Sequence, residues 1–140
     1  MKKRILFITT RNPYSGRYSG DVIRSSKIIN LLRKKHLLDV VCLKEGKVNL
    51  QEKNVHFFSY PNFFFKFLYS FLSLIKLKPL QFGLFFSKEM KVFIENNANN
   101  YDCLFFHTIR SSQYLPNNYL GKTLMEMGDL YSDNYFQTYK

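Results

Sequence analysis

The sequence has little cysteine, no tryptophan and few acidic residues. Its 140 residues include two cysteines, no tryptophan, and ten Asp and Glu against 21 Lys and Arg. Two cysteines exclude a disulfide scaffold and a cysteine-rich zinc site. Because Cys42 and Cys103 both lie in apolar segments, we expect them to be buried, reduced thiols of a cytosolic protein.

Long hydrophobic runs are also missing. No segment reaches the roughly 18 consecutive apolar residues that a membrane-spanning helix needs. Three basic residues followed by four apolar ones at positions 2–8 imitate a signal peptide, but that apolar run is shorter than the about 7–15 residues required. The length corresponds to one domain, and a hydrophobic fraction of 46% excludes global disorder.

The positive charge is concentrated at one end of the chain. Residues 1–35 carry a net charge of +9, whereas the other 105 residues together carry only +2. Such a local excess indicates a binding site or a basic face rather than a general property of the surface.

Hydrophobic periodicity predicts an α/β fold. Short apolar runs predict strands at residues 4–9, 38–43, 55–59, 103–107 and 123–127. Helical patterns cover 22–35, 62–78 and 84–97, and a last helix begins after Asp129. The first helix has an apolar face at positions 28, 31 and 32, and the third has one at 86, 90 and 93. Alternating strands and helices imply a Rossmann-like parallel sheet with flanking helices.

Ligands of such sheets bind beyond the carboxyl ends of the strands, which directs attention to residues 10–21, 107–114 and 126–132. The first of these loops contains Gly16, Ser19 and Gly20 before a helix, where backbone N–H groups favour anions. No nucleotide-binding glycine motif is present, and a long turn is the alternative interpretation. Arg11 and Arg24 nearby suit a phosphate, unless they belong to a solvated basic face.

A histidine ends the predicted fourth strand. His107 could act as a general base or donate a hydrogen bond to a phosphate or sugar oxygen, and Arg110 and Tyr114 follow it. The alternative is a partly buried histidine with a structural role. Asp129 begins the predicted last helix, where a helix-capping role competes with a role in binding.

The most unusual stretch is the Phe-rich segment, residues 63–78. Lys66, Ser70 and Ser73 form a narrow polar stripe at helical spacing, and nearly everything else before Lys76 is apolar. Such a helix is either buried or lies in a membrane interface, where Lys76 and Lys78 could pair with anionic headgroups.

Seven segments, in this order and spacing, resemble the N-terminal part of a glycosyltransferase family 4 enzyme of the GT-B fold. They are KRILFI (residues 3–8), SGDVIRS (19–25), LLRKKH (31–36), DVVCL (39–43), YDCLFFH (101–107), RSSQY (110–114) and MGDLYS (127–132). The subgroup they resemble transfers sugars onto bacterial surface-polysaccharide and lipid-linked acceptors.

This resemblance implies two Rossmann-like domains facing across a cleft, with the acceptor in the N-terminal one and the nucleotide-sugar in the C-terminal one. It implies a retaining reaction with no metal and no cofactor besides the nucleotide-sugar co-substrate. The roles it implies are a donor-diphosphate loop at Gly16, Ser19 and Gly20; a catalytic His107; acceptor or anion contacts at Arg24, Arg110, Tyr114 and Asp129; and a membrane-facing set at Phe64, Lys66, Phe67, Phe71, Lys76 and Lys78.

The resemblance further implies that residues 1–140 form a single N-terminal domain, truncated at its C-terminal end and inactive without a donor-binding domain. The expected partners are a nucleotide-sugar donor, a glycan or lipid-linked acceptor, that missing domain and the anionic inner face of the cytoplasmic membrane, with no nucleic acid. Two alternatives stay open. A basic nucleic-acid-binding module fits the charge, although the aromatic residues cluster away from it, and a stand-alone flavodoxin-like binding domain fits the fold.

Overall fold

The computed structural model describes residues 1–16, 18–44, 53–75, 77 and 80–127. In chain order the elements are β1 (Arg4–Thr9), α1 (Gly20–Lys35), β2 (Leu37–Lys44), β3 (Val55–Ser59), α2 (Phe63–Ile75), α3 (Leu80–Leu84), α4 (Lys88–Asn97), β4 (Cys103–His107) and β5 (Lys122–Glu126). Short 3₁₀ helices follow α4 at Ala98–Asn100 and β4 at Ile109–Tyr114. The helix expected after Asp129 lies outside the described residues.

The five strands form one parallel sheet in the order β3-β2-β1-β4-β5. This confirms the α/β class and the Rossmann-like parallel sheet with flanking helices. Consecutive apolar residues make up the central strands because both of their faces are covered. The fifth strand begins and ends one residue earlier than the sequence predicts, at Lys122 and Glu126.

The core has two layers, one on each face of the sheet. On one face Ile29 of α1 packs against Ile5, Phe7 and Cys103. On the other, Met90 and Ile94 of α4 pack against the opposite side chains of β1, β2 and β4. Both cysteines are free and buried, as expected. Burial raises the pKa of Cys42 to about 12 and also raises that of Cys103.

The helix expected at residues 84–97 begins later, at Lys88, and ends at Asn97 as expected. The short α3 ends before it at Leu84, and at the start of α4 the Ser87 hydroxyl accepts a hydrogen bond from the Met90 amide. A serine at this position satisfies an otherwise free donor of the first turn, which favours a new helix start. Phe86 therefore lies outside the helix, and the buried face of α4 is Met90 and Ile94.

The expected apolar face of α1 is confirmed in part. Ile28 and Leu32 are partly buried and pack against the core, whereas Leu31 is 63% exposed, and the buried residues are Val22, Ser25 and Ile29. The small Ser25 lies against the core, where its hydroxyl donates to the carbonyl of Val22, 3.0 Å away. This bond satisfies the buried polar group, so a serine can occupy a core position of the helix.

The apolar side of α2 faces outward, and its polar stripe faces inward. Ser70, on the polar stripe, is buried, and the backbone of Ser70 and Tyr69 packs against Gly83 of α3. The apolar side chains face away from the sheet, with Phe64 and Phe67 72% and 71% exposed and Phe71 also exposed. The helix is therefore neither a core helix nor an ordinary surface helix, whose polar side would face water.

Gly83 permits the close contact between α2 and α3. A β-carbon there would collide with the backbone of Ser70, whereas one at Gly20 would meet nothing within 4 Å. We expect Gly83→Ala to lower the free energy of unfolding by about 1–3 kcal/mol, the usual cost of overpacking.

The matched control, Gly20→Ala, should change that free energy by less than about 0.5 kcal/mol. Chemical denaturation of the two variants and the parent measures both values. Equal stability of the two variants would show that α3 does not pack against α2 as described.

Candidate functional site

Three strands bring polar residues together at their carboxyl ends. Thr9 of β1 pairs in register with His107 of β4, which in turn pairs with Glu126 of β5. Paired residues of neighbouring parallel strands point to the same face of a sheet. The strand order reverses direction between β1 and β4, and such a switch point is where open parallel sheets bind their ligands.

His107 is as deeply buried as Thr9, with 2% of its surface exposed. Its Nε2 lies 3.3 Å from Glu126 Oε2, and its ring stacks near Phe7 with centroids 5.8 Å apart. Burial lowers the pKa of His107, and this effect outweighs the nearby carboxylates of Glu126 and Asp21, which raise it. The ring is therefore neutral at neutral pH and carries one N–H and one acceptor nitrogen.

Carboxylates pair with the arginines at this edge. Arg24 Nη1 donates to Glu126 Oε1 over 3.2 Å. Arg110 Nη2 donates to Asp21 Oδ2 over 2.7 Å, and Arg11 Nε lies 3.7 Å from the same oxygen. Ion pairs thus link α1 with the loop after β1 and the segment after β4. An anion that binds here would compete with Asp21 for the guanidinium groups of Arg11 and Arg110.

The guanidinium group of Arg110 rests on an aromatic ring. Its central carbon lies 4.8 Å from the centre of the Phe85 ring, and the residue is buried. A charge held away from water needs its partner, so Asp21 is worth more to the fold here than a carboxylate in a surface pair.

The residue after His107 has an unusual backbone. Thr108 has φ +70°, a region that β-branched residues rarely adopt and that costs on the order of 1–3 kcal/mol. Its hydroxyl oxygen is buried without a hydrogen-bond partner among the described residues, as are Ser19 Oγ and Glu126 Oε2. Strain and unpaired buried polar atoms concentrated at one sheet edge are typical of a binding site.

The loop between β1 and α1 leaves room for a ligand. Gly16 has φ +69°, and nothing lies within 4 Å of a β-carbon built on Gly16 or Gly20. Ser19 precedes α1 but makes no capping hydrogen bond with its side chain. The Ser19 side chain therefore leaves the amide donors in the first turn of α1 uncapped.

The structure brings some of the predicted site residues together and not others. His107, Arg24 and Arg110 meet at the sheet edge beside the loop with Ser19. Tyr114 is fully buried instead, and its hydroxyl accepts from the Ser87 amide between α3 and α4. Asp129, Lys76 and Lys78 lie outside the described residues.

Asp21 and Glu126 fall within the ranges 10–21 and 126–132 to which the sequence directs attention, but the sequence assigns neither residue a role in the site. Glu126 falls in the predicted fifth strand, and Asp21 is a helix-start residue. The available signal for Glu126 is its place in the sheet, since parallel pairing of β4 with β5 sets it beside His107.

The basic residues of the N-terminal segment lie at both ends of the sheet, whereas the sequence indicates a single binding site or basic face. Arg11 and Arg24 lie at the carboxyl end, whereas Lys2 and Lys3 precede β1 at the amino end. The end of α1 lies near them, because the amide of Leu37 donates to the Lys3 carbonyl over 2.9 Å. Lys34 and Lys35 are therefore far from the candidate site.

The described part of the chain has neither a cluster of metal-binding side chains nor a helix that could cross a membrane. Residues 1–16, 18–44, 53–75, 77 and 80–127 contain no cluster of three or more His, Cys, Asp or Glu arranged to hold a metal. Among the helices of these same ranges, none has both the length and the apolar character needed to span a bilayer.

Comparison with known protein families and with curated proteins finds no match to this chain. The assignment of function therefore depends on the motifs and on the geometry of the site.

The neutral, buried His107 predicts a stability that depends on pH. Its pKa in the folded chain is below the unfolded value of about 6.5, so the unfolded chain binds more protons as the pH falls through that value. The free energy of unfolding should then decrease between about pH 7.5 and about pH 5.5. Urea denaturation at both pH values measures the difference.

His107→Gln should reduce this decrease, whereas His36→Gln, a substitution at the exposed end of α1, should retain it. An equal pH dependence in the parent and in His107→Gln would contradict the burial of a neutral imidazole at position 107.

Proposed function

We propose that this chain is the acceptor-side domain of a retaining glycosyltransferase of the GT-B type. The observation that carries the proposal is the polar row of Thr9, His107 and Glu126 at the switch point of a parallel sheet. This is the position at which such a sheet binds its ligand. Three of the segments that resemble glycosyltransferase family 4, residues 19–25, 101–107 and 110–114, contribute Arg24, His107 and Arg110 to the same edge.

In this proposal His107 contacts the sugar that is transferred. It follows a buried strand, lies beside the open β1–α1 loop, and is neutral, so it can exchange hydrogen bonds with sugar hydroxyl groups. The loop with Gly16, Ser19 and Gly20 lies near the donor diphosphate, where open space and free amides suit an anion. A second domain supplies most of the nucleotide-sugar site.

The arginines support an anionic ligand rather than a nucleic acid. Arg11, Arg24 and Arg110 already form ion pairs with two carboxylates, so the net charge of this edge is close to zero. Such an edge suits a small phosphate group that is held at one defined position. A nucleic acid binds best to a continuous basic surface, whereas the lysines before β1 and at the end of α1 lie at the opposite end of the sheet.

Activity tests the proposal directly. The protein expressed from the complete open reading frame that encodes this chain should transfer labelled sugar from nucleotide-sugar donors to acceptors in a bacterial membrane extract. His107→Ala should lower the rate by roughly 100-fold or more, the usual contribution of a group that assists proton transfer. The matched control is His56→Ala, because His56 lies on β3 against Phe93, with ring centroids 4.6 Å apart.

Full activity of His107→Ala would reject the role of this residue. Absence of transfer from every nucleotide-sugar tested would reject the function itself, provided that the protein is folded by circular dichroism.

We further propose that the exposed face of α2 lies on an anionic membrane. Phe64, Phe67 and Phe71 project from this face, and an exposed apolar face of this size marks a binding surface. Lys66 does not share it, because its Nζ lies 5.3 Å from the centre of the Tyr60 ring. The net charge of +11 favours an anionic surface over a neutral one.

The inward side of α2 and the candidate site lie close together, which supports a lipid-linked acceptor. The Tyr60 hydroxyl donates to the carbonyl of Thr10, 2.8 Å away at the end of β1. The Tyr60 ring also contacts Phe85, the residue on which Arg110 rests. A lipid held in the bilayer below α2 could therefore present its headgroup to the site.

Vesicle sedimentation tests the membrane contact. The chain should bind vesicles that contain phosphatidylglycerol more tightly than vesicles of phosphatidylcholine alone, and added salt should weaken the binding. The double variant Phe64→Ser/Phe67→Ser should bind at least roughly tenfold more weakly, because burial of one Phe side chain contributes about 1.5–3 kcal/mol.

Leu31→Ser is the matched control, since Leu31 is an exposed apolar residue of a different helix. It should bind as the parent does. Equal binding of the parent and the double variant would reject α2 as the membrane-facing element, and no binding of the parent to either vesicle would reject the membrane partner.

A further inference from the structure

Two buried polar atoms face each other at the end of β4 and β5. His107 Nε2 and Glu126 Oε2 are 3.3 Å apart, and neither makes a well-aligned hydrogen bond to any described residue or reaches solvent. An ionised carboxylate oxygen can only accept a hydrogen bond. A bond between these two atoms therefore requires the proton of the imidazole to be on Nε2.

The carboxylate of Glu126 is held from its other side. Its second oxygen, Oε1, accepts a hydrogen bond from Arg24 Nη1 over 3.2 Å. Each oxygen of the carboxylate therefore has one side-chain nitrogen as its neighbour. Glu126 comes from β5, His107 from β4 and Arg24 from α1. The three elements thus bring the carboxylate between a guanidinium group and an imidazole nitrogen.

The charges around His107 agree with a neutral ring. Burial has the largest effect and lowers its pKa; Glu126 and Asp21 raise it, and Arg24 and Arg110 lower it. A neutral imidazole has one donor and one acceptor nitrogen. The identity of the donor nitrogen decides what the other nitrogen can do for a ligand.

We propose that Glu126 is a positioning residue, which Arg24 holds so that the single proton of His107 stays on Nε2 and Nδ1 is left as an acceptor for a ligand hydroxyl group. The nature of the ligand, a sugar, rests on the proposed function, whereas the position of the proton does not. Of the two roles open to His107, the geometry selects acceptance of a hydrogen bond from a sugar hydroxyl and disfavours donation to a phosphate oxygen. Glu126 acts through His107 and need not touch the substrate.

Nuclear magnetic resonance of the 140-residue chain labelled with ¹⁵N-histidine tests the position of the proton. Long-range ¹H–¹⁵N spectra distinguish protonated from unprotonated ring nitrogens, and His107→Gln identifies the His107 signals. At neutral pH we expect a protonated Nε2 and an unprotonated Nδ1. A proton on Nδ1, or a ring protonated at both nitrogens, would overturn the proposal.

Substitution of the carboxylate tests the positioning role. In Glu126→Gln the His107 ring should change from one tautomer to a mixture, and the pH midpoint of its titration should fall because a neighbouring negative charge is lost. Arg24→Gln should also give a mixture of tautomers, to a smaller extent, but here the pH midpoint should rise, because a neighbouring positive charge is lost. Glu95→Gln is the matched control, because Glu95 forms an ion pair with Lys91 on α4, on the opposite face of the sheet.

An unchanged tautomer and midpoint in Glu126→Gln would overturn the positioning role. Where Glu126→Gln fails to give a folded spectrum, the tautomer of the parent chain still decides whether the proton is on Nε2. These measurements need no substrate, so the expected tautomer in this chain, together with no transferase activity in the protein from the complete open reading frame, would reject the proposed function and retain this inference.

Discussion

The parallel register of β1 against its two neighbours is the constraint on which the rest of the structure depends. Leu6, Phe7 and Ile8 are completely buried at the centre of the sheet, with β2 on one side and β4 on the other. A slip of one residue in any of these pairings would exchange the two faces of a strand. A slip of β4 against β1 would place His107 on the α4 side, away from Arg24, among the apolar side chains of the core. The hydrophobic pattern that stabilises the sheet therefore also fixes the row of polar residues at its carboxyl end.

The carboxyl end of the sheet combines close ion pairs with buried polar atoms that have no hydrogen-bond partner among the described residues. Asp21 and Glu126 engage three arginines between them, which reduces the penalty of holding charges in a partly buried place. Thr108 nevertheless keeps a strained backbone and a buried hydroxyl without a partner. Neither feature stabilises the ligand-free domain. Their concentration beside His107 is consistent with a site in which a ligand supplies the missing hydrogen bonds.

The sequence predicts the strands better than the helices, for a physical reason. β1, β3 and β4 begin and end at the predicted residues, and the central strands are recognisable because a strand buried on both faces needs no alternation. The start of α4 and the buried face of α1 depend instead on side-chain hydrogen bonds that hydrophobic periodicity does not register, such as the one from the Met90 amide to the Ser87 hydroxyl. Glu126 is not singled out for a different reason: Arg24, its partner, lies 102 residues away in the chain, and only the register of the sheet brings His107 beside it.

The orientation of α2 connects the two proposals about function. Its polar stripe faces inward because Lys66 lies over Tyr60 and Ser70 packs against Gly83, so the phenylalanine side chains have no place in the core and remain outside. Tyr60 in turn contacts the end of β1 through Thr10. Whatever surface covers α2 therefore determines the direction in which the carboxyl edge faces. A bilayer in this place would hold the edge at a fixed height above the headgroups, and this would favour acceptors that are themselves anchored in the membrane over those free in solution.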